Sequence, residues 1–297
     1  MRWVVGTENG LVGSGGEAWL VGREVTALAR DGNGWLVLTE GSEVSRVQGD
    51  EVDSLGSVVD GTGRCLQPIP DAVLVGTAHA RLAMIRDGAV TMLRSFDEAE
   101  GREAWYTPWG GPPDTRSLAG SADGTLFANV HVGGILRAET PEGVWSPTID
   151  IDADVHQVLT DPLDPGHVVA ATALGLAESR DGGGTWRFAH EGLDAPYARA
   201  VALDGDRLYL SASTGPRGGR AGVYRREPGS AVFEKCRGGL PEWFGGNVDS
   251  YRLAAAEGSA LFGTEDGNVF LSEDGGDSWG KVLGGSTGIT CVGVAAA

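Results

Sequence analysis

Five cationic side chains share one register position of a recurring strand: Arg64, Arg116, His156, Arg199 and Arg252. Thr26 and Thr290 hold that position in two further repeats. The chain carries 23 Lys and Arg against 41 Asp and Glu, a net charge of −18, so this arc is its sharpest local reversal of sign. A guanidinium fork takes a carboxylate or phosphate through two parallel N–H bonds. The chemistry expected of the arc is capture of a small anion where these strands begin. Glu8, Glu40 and Glu265 follow strand ends on three adjacent repeats, opposite the arc. Such a carboxyl acts as general acid or base where burial raises its pKa. The alternative is that these glutamates pair with the arginines or face solvent. His79, His131 and His156 reach the same end, and three imidazoles could hold a divalent zinc or iron ion. No tight ligand spacing supports a metal, and histidines satisfied by the chain are the plain alternative; no other cofactor is expected. His167 and His190 lie outside this constellation. Trp105 and Trp243, with Tyr106, Trp109 and Phe244, would wall a pocket or anchor an interface. No nucleophile elbow, P-loop or dinucleotide fingerprint is present. The segment Gly215-Pro-Arg-Gly-Gly-Arg220 lacks the strand-to-helix context of a phosphate cradle.

These residues must be held by strands. Forty-nine glycines and frequent short Val/Leu/Ala runs point to many strands joined by tight turns. One frame of four strands fits Arg199–Leu203, Arg207–Ser211, Gly222–Arg225 and Val232–Lys235. It fits again over Arg252–Ala256, Ala260–Thr264, Asn268–Leu271 and Trp279–Val282. Run backwards, the frame places second strands at Val168–Thr172, Thr125–Asn129, Val73–Thr77 and Trp35–Thr39. The last such strand, Trp3–Thr7, has no first strand before it, and Thr290–Val294 supplies one from the far end of the chain. The second strands end in Thr7, Thr39, Thr77, Asn129, Thr172, Ser211 and Thr264, small polar residues suited to satisfying backbone groups. The expectation is an all-β, seven-bladed β-propeller of four-stranded antiparallel blades, a single domain over 1–297. Its C-terminal strand completes the N-terminal blade and removes the free edges. Long insertions at Phe96–Thr115, Ser213–Ala221 and Arg237–Ser250 all fall on one face, the usual mark of a binding face.

The octapeptides Ser179-Arg-Asp-Gly-Gly-Gly-Thr-Trp186 and Ser272-Glu-Asp-Gly-Gly-Asp-Ser-Trp279 both fit S-x-D-x-G-x-[ST]-W. The aspartate accepts backbone N–H groups in a tight turn, the glycine admits a conformation a Cβ would penalise, and the tryptophan buries an apolar face. The pattern resembles the Asp box, or BNR repeat, of β-propeller proteins. That set includes sialidases, xyloglucan-cleaving glycosidases, sortilin-like receptors and a photosystem II assembly factor, so the resemblance implies a fold and leaves activity open. Sialidases clamp a substrate carboxylate with three arginines, which the resemblance would assign to Arg116, Arg199 and Arg252. It would assign a catalytic tyrosine to Tyr251 or Tyr197, backed by Glu265. Sialidases have six blades, and their Arg-Ile-Pro segment is absent here.

The acidic balance argues against nucleic acid or an anionic membrane as partner. No run of 18 apolar residues occurs, and the segment Met1–Thr7 lacks the features of a leader peptide. Cys65, Cys236 and Cys291 are sparse and odd in number, which fits a reducing cytoplasm. Two functions follow for a chain expected to be monomeric. One is a propeller binding a small anionic ligand at its loop-rich mouth, and possibly a hydrolase or lyase acting on a carboxylate-bearing or sugar-like substrate. The other is a non-catalytic scaffold gripping a protein partner.

Overall fold

The computed structural model describes residues 2–285 and 288–295, so Met1, Ser286, Thr287, Ala296 and Ala297 of the expected termini and last loop lie outside the described residues. Seven four-stranded sheets account for nearly all regular structure, and the fold is the seven-bladed β-propeller. Blade 1 contains Trp3–Thr7, Gly10–Gly13 and Ala18–Trp19, with Ile289–Val294 hydrogen-bonded to the first of these. Blades 2, 3 and 4 begin with Val25–Asp31, Gly63–Ile69 and Thr115–Gly120, and blades 5, 6 and 7 with Val155–Thr160, Tyr197–Asp204 and Leu253–Ala256. In blade 1 the closing strand runs antiparallel, pairing Trp3 with Val294, Val5 with Val292 and Gly6 with Cys291, before a bulge shifts Thr7 onto Ile289.

The chain divides into two compact units. One comprises Met1–Val25, Ala171–Ala177 and Phe188–Ala297; the other comprises Thr26–Ala170 and Glu178–Arg187. In the first, Trp3, Val5, Leu261, Val269, Ile289 and Val292 form one buried cluster. A second cluster joins Tyr209, Phe262, Phe270 and Trp279. In the other unit, Leu36, Leu38, Val44, Leu66, Val75 and Ile85 form a core. Each cluster draws on alternate residues of successive strands, as a pleated sheet with one shared face requires.

Glycine sets the approach of neighbouring strands at three related places. A Cβ on Gly6 would come within 2.5 Å of Cys291 Sγ and 2.7 Å of Val25. One on Gly76 would meet Thr115 at 2.8 Å, and Cys65 still closer. One on Gly263 would strike Ile289. All three precede the Thr that ends a second strand, and that Thr is buried in each case. Its hydroxyl binds backbone as expected: Thr7 Oγ1 donates to Gly10 O at 2.9 Å and Thr264 Oγ1 to Asn268 O at 3.1 Å.

Three features differ from the sequence expectation. The outermost strands are shorter than the repeat frame suggests, only Ser146–Pro147 in blade 4 and Glu234–Lys235 in blade 6. The insertion after blade 3 is partly helical, with a single α-turn at Arg94–Asp97 and a 3-10 turn at Arg102–Ala104. Phe96 explains the turn: it is fully buried and packs edge-on against Trp145 at 5.2 Å. Trp279 is buried, but Trp186 is only half-buried.

Candidate functional site

The arc residues sit at or just before the start of first strands, where inward and outward side chains alternate. In the unit Thr26–Ala170, Arg64 lies between buried Gly63 and Cys65. Its Nε donates to Asp114 Oδ2 at 2.8 Å, and its Nη1 to the carbonyls of Gly61 and Gly63 at 2.7 and 3.1 Å. Asp114 Oδ1 also accepts from His79 N at 3.3 Å. Arg116, one blade on, has the corresponding neighbour in Asp154, whose carboxylate it helps to hold in the charged form. Asp154 ends a 3-10 turn at φ 46° and faces His156 Nε2 at 3.6 Å and His131 Nε2 at 3.8 Å. Those separations are longer than an ordinary hydrogen bond. His156 foremost, then His131 and Arg116, hold the Asp154 carboxyl below its ordinary value, while partial burial pulls the other way.

Two of the three proposed metal-binding histidines thus meet one carboxylate. His79 instead stands exposed beside Asp114, at φ 63°. Among the described residues no three His, Cys, Asp or Glu side chains form a group able to hold a metal ion.

In the other unit Arg199 Nε donates to Asp249 Oδ1 at 2.6 Å, and its guanidinium lies 5.9 Å from the Tyr197 ring centroid. Burial opposes the Arg199 charge, and Asp249 more than restores it. Arg252 Nη1 is buried 4.0 Å from the second oxygen of Asp249, so one carboxylate serves both arginines. Tyr251 is half-buried in a left-handed conformation, φ 66°, and its carbonyl accepts from Val292 N at 2.8 Å. Glu8 and Glu265 are exposed to solvent. Glu265 borders a shallow cleft of about 260 Å³ with Phe244, Gly245, Gly246, Thr264 and Asp266.

A rule links these pairs. The first-strand arginine of one blade reaches the aspartate that leads into the first strand of the next: Arg64 to Asp114, Arg116 to Asp154, Arg199 to Asp249. Sequence reasoning named the cations and missed Asp114 and Asp249. The available signal was an aspartate two or three residues ahead of Arg116, His156 and Arg252.

The aromatic loops differ in kind. Trp105 is half-buried, 5.9 Å from the Phe96 ring, and carries the Arg102 guanidinium at 4.9 Å. It props the insertion rather than walling a pocket. Trp109 is 74% exposed and stacks edge-on against His131 at 4.8 Å; Tyr106 is also exposed. Trp243 is half-buried beneath the cations of Arg220 and Lys235.

Away from these loops, the two octapeptide turns have the same internal bonding. Asp181 accepts from Thr185 N and Thr185 Oγ1, each at 2.8 Å, and Ser179 Oγ accepts from Gly183 N at 2.8 Å. Asp274, Ser278, Ser272 and Gly276 repeat this set. Those donors pull both aspartates down to a pKa of about 2. Their stabilising effect is therefore whole above the ordinary carboxylate value of ~4 and is lost as pH falls towards 2. Asp181→Ala and Asp274→Ala should each lower the melting temperature at pH 7, with the difference from wild type shrinking near pH 2. An equal difference at both pH values would refute the assignment.

His167, outside the arc, is fully enclosed. Its Nδ1 lies 3.1 Å from Asp161 Oδ2 and its Nε2 3.0 Å from Glu178 Oε1, and Arg180 donates to that same Glu178 oxygen at 2.8 Å. With a carboxylate on each ring nitrogen, both nitrogens must donate, so the ring is an imidazolium.

No family model matches the chain. The glycerol kinase of Mycolicibacterium gilvum is 37% identical over 108 residues, 36% of this chain and 21% of that protein. The chain thus spans about a fifth of that relative's length, and the likeness is local. Among solved structures, an ancestral GH74 enzyme superposes with a TM-score of 0.64 at 16% identity, covering 95% of this chain and 40% of that one. YCF48 bound to D1 peptide superposes with a TM-score of 0.59 at 14% identity, covering 95% and 86%. At such identities the likeness is one of fold: this chain is similar to β-propellers that include a glycoside hydrolase and a peptide-bound protein.

Proposed function

We propose that the protein is a non-catalytic propeller whose loop-rich face grips a protein partner, with the exposed Trp109 and Tyr106 as anchors. One observation carries this reading: the arginines set out for anion capture already face aspartates of their own chain, Asp114, Asp154 and Asp249. Such internally neutralised cations are a structural ion network, and a substrate carboxylate would have to displace a tethered one. Glu8 and Glu265 add no enclosed acid to set against this. A ring such as Trp109, held by stacking on His131, is pre-organised as an interface anchor. The turns Ser179–Trp186 and Ser272–Trp279 are read as Asp boxes that staple the fold. The three free, buried thiols suit a reducing compartment. The competing reading is a hydrolase of anionic or sugar-like substrates, with Arg116, Arg199, Arg252, Tyr251 and Glu265 as its machinery.

Trp109→Ala should leave the melting temperature unchanged and abolish crosslinking to a defined partner, recovered with the wild type and identified by mass spectrometry. Loss of an aromatic anchor commonly weakens such a complex by about 2 kcal/mol or more, some thirtyfold. Turnover of aryl sialosides or xyloglucan oligosaccharides by the wild type, lost in Arg199→Ala, would overturn this reading in favour of the hydrolase.

A further inference from the structure

The two longest insertions of blade 6 are zipped together. Ala221 and Phe244 exchange backbone hydrogen bonds at 3.3 and 2.9 Å, Gly219 N donates to Gly245 O at 3.3 Å, and Asn247 Nδ2 reaches the carbonyls of Gly215 and Pro216 at 3.2 Å. Gly218 and Gly219 take left-handed conformations, φ 78° and 86°, that let the Arg-bearing loop fold back against Gly245.

This platform gathers cations on one indole. Arg220 Cζ lies 4.7 Å and Lys235 Nζ 2.8 Å from the Trp243 ring centroid, and Lys235 is tied down by the carbonyl of Glu242. Arg237 stands two residues beyond Lys235 and makes no ion pair among the described residues. Burial first, and then the neighbouring charges of Arg237 and Arg220, hold the Lys235 ammonium below its ordinary value, against the pull of Asp194 and Glu242. Asp194 is largely committed: it accepts from the Tyr224 hydroxyl at 2.8 Å and lies 3.6 Å from Arg220. Two cations thus share one indole beside a third, in a chain where acids outnumber bases 41 to 23.

We propose that Arg220 and Lys235, held on Trp243, form with the neighbouring Arg237 a binding site for an oxyanion, a carboxylate or a phosphate. The guanidinium of Arg237 offers a planar fork and Lys235 a point charge, the complementary donors such a group needs. The loop-to-loop bonding holds the Trp243 platform in place before the ligand arrives, so little ordering of the two loops opposes binding. The site lies in the unit that does not contain Trp109, and it stands or falls apart from the partner reading.

The test is a titration at constant ionic strength, held with chloride, of inorganic phosphate in one arm and acetate in the other. It is followed by the Trp243 indole N–H resonance, assigned with Trp243→Phe. A saturable shift is expected, weakened at least tenfold in Lys235→Gln and in Arg237→Gln and unchanged in Arg86→Gln, an exposed arginine outside the site. Response to phosphate alone assigns a phosphate ligand, and response to acetate alone a carboxylate. Absence of saturation with both ions in the wild type, or equal affinity in Arg86→Gln and Arg237→Gln, overturns the site. Arg237 is exposed, so its variant is expected to fold even if Lys235→Gln does not.

Discussion

Truncation after Gly288, which removes the strand Ile289–Val294, should unfold the protein at room temperature. The strand contributes Ile289 and Val292 to the cluster around Trp3 and Val5, and its whole hydrogen-bonded ladder with Trp3–Thr7. Loss of two aliphatic anchors at about 2–5 kcal/mol each, together with a sheet edge left open, consumes most of a typical stability of about 5–15 kcal/mol. Circular dichroism should show loss of the cooperative transition. A synthetic peptide of residues 288–295 added in trans should restore part of it. A truncated protein that melts like the full chain would disprove the closure argument.

His167→Ala should have the next largest effect. Removing the imidazolium leaves Glu178 with Arg180 but Asp161 without its cation in a nearly closed site, and breaking a buried pair in this way costs about 3–5 kcal/mol. Burial opposes the imidazolium, but the hydrogen bonds it donates to Glu178 and Asp161 outweigh it, so the ring titrates above its usual value. A folded pKa raised above the unfolded ~6.5 means that the stabilisation is whole below that pH and lost as pH rises through the folded value. Urea unfolding should therefore show a wide gap between wild type and variant at pH 6 that narrows in alkaline buffer. On the acid side Asp161 is held low, mainly by the Leu163 N–H and His167 bonds that exceed its burial. Its contribution persists until pH drops below ~4. A gap that stays constant from pH 5.5 to 9.5 would mean that the ring is not charged in the fold.

The inner blade strands were legible because each is a short apolar run, buried on both faces, between turn signals. The strand Val73–Thr77 lies within the observed Ala72–Thr77, and Trp3–Thr7 is matched residue for residue. Outer strands were less so: Ser146–Pro147 and Glu234–Lys235 are short and largely exposed, and no buried face imposes a period on them. The α-turn Arg94–Asp97 has no capping side chain and too few residues to carry a helical repeat; buried Phe96 makes it. The site was legible by halves. Cations at one register can be aligned from sequence alone. Their carboxylates are harder to see, because Asp114 lies 50 residues from Arg64 and Asp249 lies 50 from Arg199, and only their place just ahead of the next blade's cation marks them. His167 was invisible for the same reason: Glu178 comes to it from another strand.

The pairing of Trp3–Thr7 with Ile289–Val294 also has a consequence for biosynthesis. The first strand leaves the ribosome long before its partner exists, and at ~5–20 residues per second the wait is tens of seconds. Through that interval Trp3, Val4 and Val5, all buried in the finished fold, present an apolar edge with free backbone groups. Trp3–Thr7 is thus open to misassociation until its partner is made, and a chaperone holding that strand would have to release it only when Ile289–Val294 emerges.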